Sequence, residues 1–278
     1  MENQQNVKPS IIMEQYKKNF TKSEHKIHKY IIENSESVLY YSLTELSESS
    51  GVAEATVLRF FRKLGFKGFQ DFKFLYAQEI SLKNSTVTES DTYAAKIKSN
   101  MVQAIEDSYN MVDEDELEMA IKEINNSDEV VLYGVGSSGI AVLDMENRLM
   151  RIGKHVSAIT DPHFQVMRAS SMTENTVVVA ISLTGSTKDI IDSVEIAKNR
   201  GAKVIALTNY IKSPLTKFAD IVLLSSAKES PLDSGSLVSK VTQLYLIDLI
   251  CTGIAIERYE NAEEIKMELT KNIASKLY

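Results

Sequence analysis

The sequence predicts an all-α domain followed by an α/β domain, the second built on a five-stranded parallel sheet with helices on both faces. Three observations carry this. From residue 129 onward, five short apolar runs alternate with helix-like segments, the pattern of strands joined by crossover helices in one parallel sheet. Before residue 80, apolar positions instead recur at three- and four-residue spacing around a glycine turn. The charge balance also changes along the chain, with 12 Lys and Arg against 10 Asp and Glu in residues 1–85 but 19 against 28 in the rest.

At 278 residues, with 44% hydrophobic residues, the chain has the length of two domains and the apolar content for real cores. Its net charge of −7 argues against a nucleic-acid binder over the whole length, but that deficit belongs to the second part. The lone Cys251 excludes an internal disulfide, and the polar N-terminus lacks a signal-peptide core, so a cytoplasmic protein is expected. The longest apolar stretch, Leu244 to Ile256, contains Asp248 and falls short of the roughly 20 residues of a membrane span. Four scattered histidines suggest no metal site, and no cofactor is expected.

Taken in order, Thr21 and Glu24 have capping-box spacing ahead of Ile27, Tyr30 and Ile31, which give a first helix its apolar face. Ser42 to Val52 reads as a short helix closed by Gly51 in a left-handed turn. Ala53 to Leu64 is a third helix, with Val57, Phe60, Phe61 and Leu64 inward and Glu54, Ala55, Leu58, Arg59, Arg62 and Lys63 on the other sides. Helix, glycine turn, helix is the arrangement that reads DNA, and the helix after the turn enters the major groove. Thr56 and Arg59 would then face base edges, while Thr44, Arg62, Lys63 and Lys67 would meet phosphates, and Glu54 is also expected at the DNA. Five basic residues against one acid between Thr56 and Tyr76 support that footprint; the alternative is a helical hairpin with solvated charges. Gly65 to Gly68 turns the chain into a further helix packed through Phe69, Phe72 and Leu75. The polar run Lys83–Asp91 is the expected linker, putting boundaries at 1–82, 83–107 and 108–278.

An acidic amphipathic helix is expected from Tyr109 to Asn125, then strands at 129–133, 155–160, 176–181, 203–208 and 221–225. After the third strand the chain breaks into Ser182, Thr184, Gly185, Ser186 and Thr187, and a helix follows with Ile190, Ile191, Val194 and Ala197 on one side. Hydroxyls, a glycine and a helix N-terminus suit an anion such as a phosphate, although an N-cap with polar turn residues has the same local pattern. Gly134-Val-Gly136-Ser-Ser-Gly139 follows the first strand, and Asp161 lies near the end of the second, which is formally a dinucleotide fingerprint. Ser137 and Ser138 put hydroxyls where a pyrophosphate uses bare backbone, so two hydroxyl-rich loops at the carboxyl ends of strands in one parallel sheet better suit a compact phosphorylated ligand.

The stretches GVAEATVLRFFRKLGFKGFQDFK at 51–73, YGVGSSG, LMRIGKHV, DPHFQ, ISLTGSTKD, AKNRGAKVIALTN, SPLTKFAD and KVTQLYLIDL together resemble the ribose-phosphate-isomerase-regulator (RpiR) family. These bacterial transcription factors join an N-terminal helix-turn-helix to a sugar isomerase (SIS) domain, and the resemblance covers nearly the whole chain. It implies that Ser138, Ser182, Thr184 and Thr187 bind the phosphate of a sugar phosphate effector, with Ser137, Ser186, His163 and Glu229 near the sugar. It further implies a double-stranded DNA operator as partner and a homodimer or homotetramer. Three positions depart from the family: Ala53 stands where a capping Ser is usual, Leu183 where His is frequent, and Thr184 where Ser is frequent. The competing reading is a sugar-phosphate isomerase, for which Glu146, His163 and Glu229 are the candidate proton carriers.

Overall fold

A computed structural model describes residues 8–83, 92–226 and 237–274. The chain divides into two compact units, the first ending at Lys98 and the second beginning at Ser99. Most of the expected linker, residues 84–91, lies outside the described residues.

Among its described residues the first unit holds the α-helices α1 (Pro9–Tyr16), α2 (Lys22–Glu33), α3 (Leu43–Ser50), α4 (Glu54–Lys63) and α5 (Phe69–Lys83). Thr21 and Glu24 form the expected capping box of α2, and Ser42 with Glu45 forms a second one on α3. Gly51 then takes φ 65° and ψ 37°, a left-handed position that costs other residues 1–2 kcal/mol or so. The unexpected element is α1, which starts at a proline and has no side-chain cap at Lys8. Its place is set from afar: the Ser10 amide and hydroxyl both donate to the buried Glu79 carboxylate of α5. The core is aromatic, with Phe61 in contact with Phe60, Phe69 and Phe72 at centroid separations of 5.2, 5.2 and 4.7 Å. Each such pair adds about 0.5–1.5 kcal/mol beyond area burial, enough to hold a small helical unit rigid.

α6 (Tyr93–Tyr109) straddles the boundary, and α7 (Glu114–Asn126) follows it. This corrects the single helix expected from Tyr109: Asp113 accepts from the Asp115 and Glu116 amides and so begins a new helix at Glu114. The sheet then runs β1 (Glu129–Tyr133), β2 (Val156–Ile159), β3 (Thr176–Ile181), β4 (Lys203–Thr208) and β5 (Ile221–Leu224). Its connecting elements are α8 (Ser137–Met150), α9 (Pro162–Ala169) and α10 (Lys188–Asn199), with α11 (Val238–Glu257) and α12 (Tyr259–Ala274) after β5. All pairings are parallel, in the order β2-β1-β3-β4-β5.

Strand alternation sorts the core into two layers. Val130 and Leu132 face one layer with residues of α7, α8 and α11, whereas Val131 and Tyr133 face the other with residues of α9 and α10. The two expected strands that proved shorter, β2 and β5, are the sheet's edges, and each edge carries a carboxylate. Glu146 of α8 accepts from the Ala158 amide at 2.8 Å, and Glu116 of α7 accepts from the Val222 amide at 3.1 Å. Occupied edge amides discourage pairing with another strand. α11, at 20 residues, is long and apolar enough by composition to cross a membrane. Here Leu246, Ile247, Ile250, Cys251 and Ile254 bury its inner face in the core.

Candidate effector crevice and DNA-reading helix

The strand order reverses direction between β1 and β3: the chain passes from β1 outward to β2, then returns to the other side of β1 for β3. Ligands of open α/β sheets sit at such a switch, beyond the carboxyl ends of the strands. Tyr133 pairs with Ala180, so the two hydroxyl-bearing loops leave neighbouring strands at nearly the same level.

After β1, Gly136 takes φ 56° at the N-cap of α8, and no side chain caps that helix. A Cβ at Gly134 would lie 2.6 Å from the Ser138 carbonyl oxygen, so the tight turn requires glycine there. Ser138 is buried in the first turn of α8, and its hydroxyl accepts from the Gln243 side-chain amide at 3.1 Å. After β3, the buried Ser182 hydroxyl is 3.3 Å from that of Thr187, the N-cap residue of α10. The Thr187 hydroxyl makes no cap bond of its own. Both helices at the switch therefore present their first-turn amides without a side-chain cap, the arrangement that attracts an anion.

Gly185 holds the second loop in shape. Its φ is 58°, and a Cβ there would lie 2.2 Å from the Ser213 hydroxyl. The Gly185 amide donates to Ser182 and its carbonyl accepts from Leu215. Thr184 and Ser186 bond to each other, the Ser186 amide donating to the Thr184 hydroxyl at 3.3 Å and the Ser186 hydroxyl to the Thr184 carbonyl at 3.1 Å. Their hydroxyls thus shape the loop. Leu183 is fixed through its carbonyl, which accepts from the Asn209 amide and the Thr208 hydroxyl.

His163 is exposed in the first turn of α9, which Asp161 caps through the His163 and Phe164 amides. With Asp189 and Asp192 of α10 it lines a cleft of about 400 Å³. Asp161 therefore serves as a helix cap through one carboxylate oxygen. Sequence reasoning overlooked Gln165, whose side-chain amide donates to the Ile159 carbonyl and whose backbone carbonyl accepts from the Tyr133 hydroxyl, fastening α9 to the ends of β1 and β2. Gln243 was equally hidden, because a glutamine inside an apolar helix has no sequence signature. Ser137 opens α8. Glu229 lies outside the described residues. Glu146, a candidate proton carrier, has a carboxylate oxygen engaged with the β2 backbone. Among the described residues no group of three or more His, Cys, Asp or Glu side chains could hold a metal ion.

On the first unit, α4 buries Val57, Phe60 and Phe61 and leaves Arg59 and Arg62 exposed, and Lys67 is exposed in the turn that follows. Arg59 donates to the Thr56 hydroxyl at 3.0 Å, so these two share the outer face. Three residues expected at DNA are engaged within the unit. The buried Thr44 hydroxyl donates to Glu54 at 2.7 Å across the turn, fixing α3 against α4. Lys63 donates to Glu24 and to the Asn19 carbonyl, each at 2.8 Å, and lies 5.7 Å from the Phe20 ring centre. Ala53, at the N-cap of α4, makes no side-chain cap bond, the loss expected from its missing hydroxyl.

A helix-turn-helix unit joined to a doubly wound α/β domain defines the class as a two-domain transcriptional regulator. The chain belongs to the rpiR family of helix-turn-helix transcriptional regulators: residues 9–83 match the rpiR-family helix-turn-helix domain and residues 123–253 the SIS domain. It is 37% identical to an HTH-type transcriptional regulator of Clostridium perfringens over 91% of this chain and 94% of the other. Among solved structures it is similar to the Vibrio vulnificus NanR protein complexed with ManNAc-6P, with 27% identity, 97% of this chain and 99% of the other covered, and a TM-score of 0.88. The sugar isomerase domain of an RpiR transcription factor from Sphaerobacter thermophilus shares the fold, at 20% identity and a TM-score of 0.60 over 65% of this chain and 99% of the other.

Proposed function

We propose that this transcriptional regulator binds a sugar phosphate at the β1/β3 switch and that the ligand sets its affinity for a DNA operator. The observation that carries this is the crevice itself, where two helix N-termini without side-chain caps meet the buried hydroxyls of Ser138 and Ser182 and the hydroxyl of Thr187. Hydroxyls and amides bind a phosphate dianion without adding charge, and burial makes each hydrogen bond count for more. Thr184 and Ser186 shape this loop, while Ser137, His163 and Glu229 are assigned to the sugar. The ligand held by the Vibrio vulnificus protein makes ManNAc-6P the first compound to try.

On the DNA side, Thr56 and Arg59 read bases while Arg62 and Lys67 meet phosphates. One helix-turn-helix covers too little DNA for tight specific binding, so a symmetric dimer or tetramer on a pseudo-palindromic operator is part of the proposal. Such a protein works in the cytoplasm. Proton transfer on the sugar is the weaker reading, because Glu146 is held by the Ala158 amide in the edge strand rather than turned to a ligand. Calorimetric titration of ManNAc-6P, other sugar phosphates and their dephosphorylated forms into wild type and Ser182→Ala tests the site. Only phosphorylated sugars should bind, and the substitution should cost about ten- to a hundredfold in affinity. Equal binding of the free sugar, or an unaffected variant, would reduce the loop to a helix cap.

A further inference from the structure

Gln243 is 3% exposed in α11, where the buried residues that follow it, Leu246, Ile247 and Ile250, are apolar and those that precede it, Ser239 and Thr242, carry hydroxyls. A buried amide in such a helix costs free energy unless it has a partner. Its partner is Ser138, 105 positions earlier, at the mouth of the switch point: the Gln243 amide donates to the Ser138 hydroxyl oxygen at 3.1 Å. A serine hydroxyl has one proton and two lone pairs. With one lone pair receiving the amide hydrogen, the Ser138 proton is directed elsewhere, and an acceptor in the crevice can receive it.

We propose that Gln243 is a positioning residue for the anion site, setting the Ser138 hydroxyl as a donor toward the phosphate. This rests on the crevice reading given above. Donor strength would follow, since a hydroxyl that already accepts a hydrogen bond is the better donor. A glutamate at the same place would do the reverse: its carboxylate would take the Ser138 proton's hydrogen bond for itself and bring negative charge toward the anion.

The experiment is calorimetry of ManNAc-6P, with inorganic phosphate as a second probe, on the full-length wild type, Gln243→Leu, Gln243→Glu, Ser138→Ala and the Ser138→Ala/Gln243→Leu double variant. Thermal unfolding of each identifies any that fail to fold. Gln243→Leu should weaken both probes roughly three- to tenfold, Gln243→Glu should weaken them more, and Gln243→Leu should cost nothing further in the Ser138→Ala background. The absence of a further loss separates positioning through Ser138 from a merely structural role, which would lower affinity equally in both backgrounds. Wild type that binds while Gln243→Leu matches it, or an equal loss in both backgrounds, overturns the assignment alone. Wild type that takes neither probe overturns the crevice reading and this assignment with it. Should Gln243→Leu fail to fold, Gln243→Glu carries the same test, since affinity equal to that of wild type would overturn the proposal.

Discussion

Single side chains in this protein owe their behaviour to partners far away in sequence. Lys73 shows it best: it is buried in α5, its ammonium donates to the Tyr41 carbonyl at 2.8 Å and lies 5.0 Å from the Phe69 ring centre. Burial lowers its pKa from 10.5 to about 8, with Glu45 acting the other way. Below that value folded and unfolded chains both carry the proton. Between it and the unfolded value only the unfolded chain does, so stability gains from rising pH there, on the order of 1–3 kcal/mol across the window. Urea unfolding at about pH 7.5 and about pH 9 should show this rise in wild type and a flattened response in Lys73→Met. A rise of the same size in the variant would assign it to another group. Nothing in the sequence around Lys73 announces burial, because it sits in a run with five basic residues that otherwise reads as a solvated face. Lys63 misled for the same reason, its partner Glu24 being supplied by a different helix.

Elements were legible wherever a local signal defines them. The capping box at Thr21, the left-handed Gly51 and the apolar run of β3 each fall where the sequence puts them, since each depends on neighbours within a few residues. The failures are elements fixed from a distance. α1 is anchored by Glu79, and the edge strands β2 and β5 end early because only one side of each is paired. The start of α7 was a local misreading, as Asp113 was a cap in plain view. At α4 the geometry separates two kinds of basic residue, and this yields a contrast. Arg59→Ala should cost about 1–3 kcal/mol at its cognate base and relax discrimination there, whereas Lys67→Ala should weaken all sequences alike and lower the salt slope by about 1. Lys63→Ala should chiefly destabilise the first unit, by about 1 kcal/mol after allowance for solvent screening, because its charge is paired with Glu24. A salt-titrated shift assay beside thermal unfolding distinguishes them; a Lys63→Ala protein with full stability and weakened DNA binding would return that lysine to the phosphates.

For the whole molecule, the alternation of short apolar runs with helix-like segments was enough to anticipate a five-stranded parallel sheet with helices on both faces. The candidate crevice was half legible: Ser138, Ser182 and Thr187 carry sequence signals, while Gln243 reaches Ser138 only through the fold and Gln165 fastens α9 beside it. A ligand can shift operator affinity only by binding one arrangement of the protein better than another, and the effect must be reciprocal. The most direct measurement is therefore the coupling itself: operator affinity with and without saturating ManNAc-6P, and ManNAc-6P affinity with and without operator, in the same buffer. The expected result is one factor, about 5- to 150-fold, appearing in both directions, with Ser182→Ala needing about ten- to a hundredfold more ManNAc-6P to show it. Binding of ManNAc-6P or another sugar phosphate that leaves operator affinity unchanged would contradict the account.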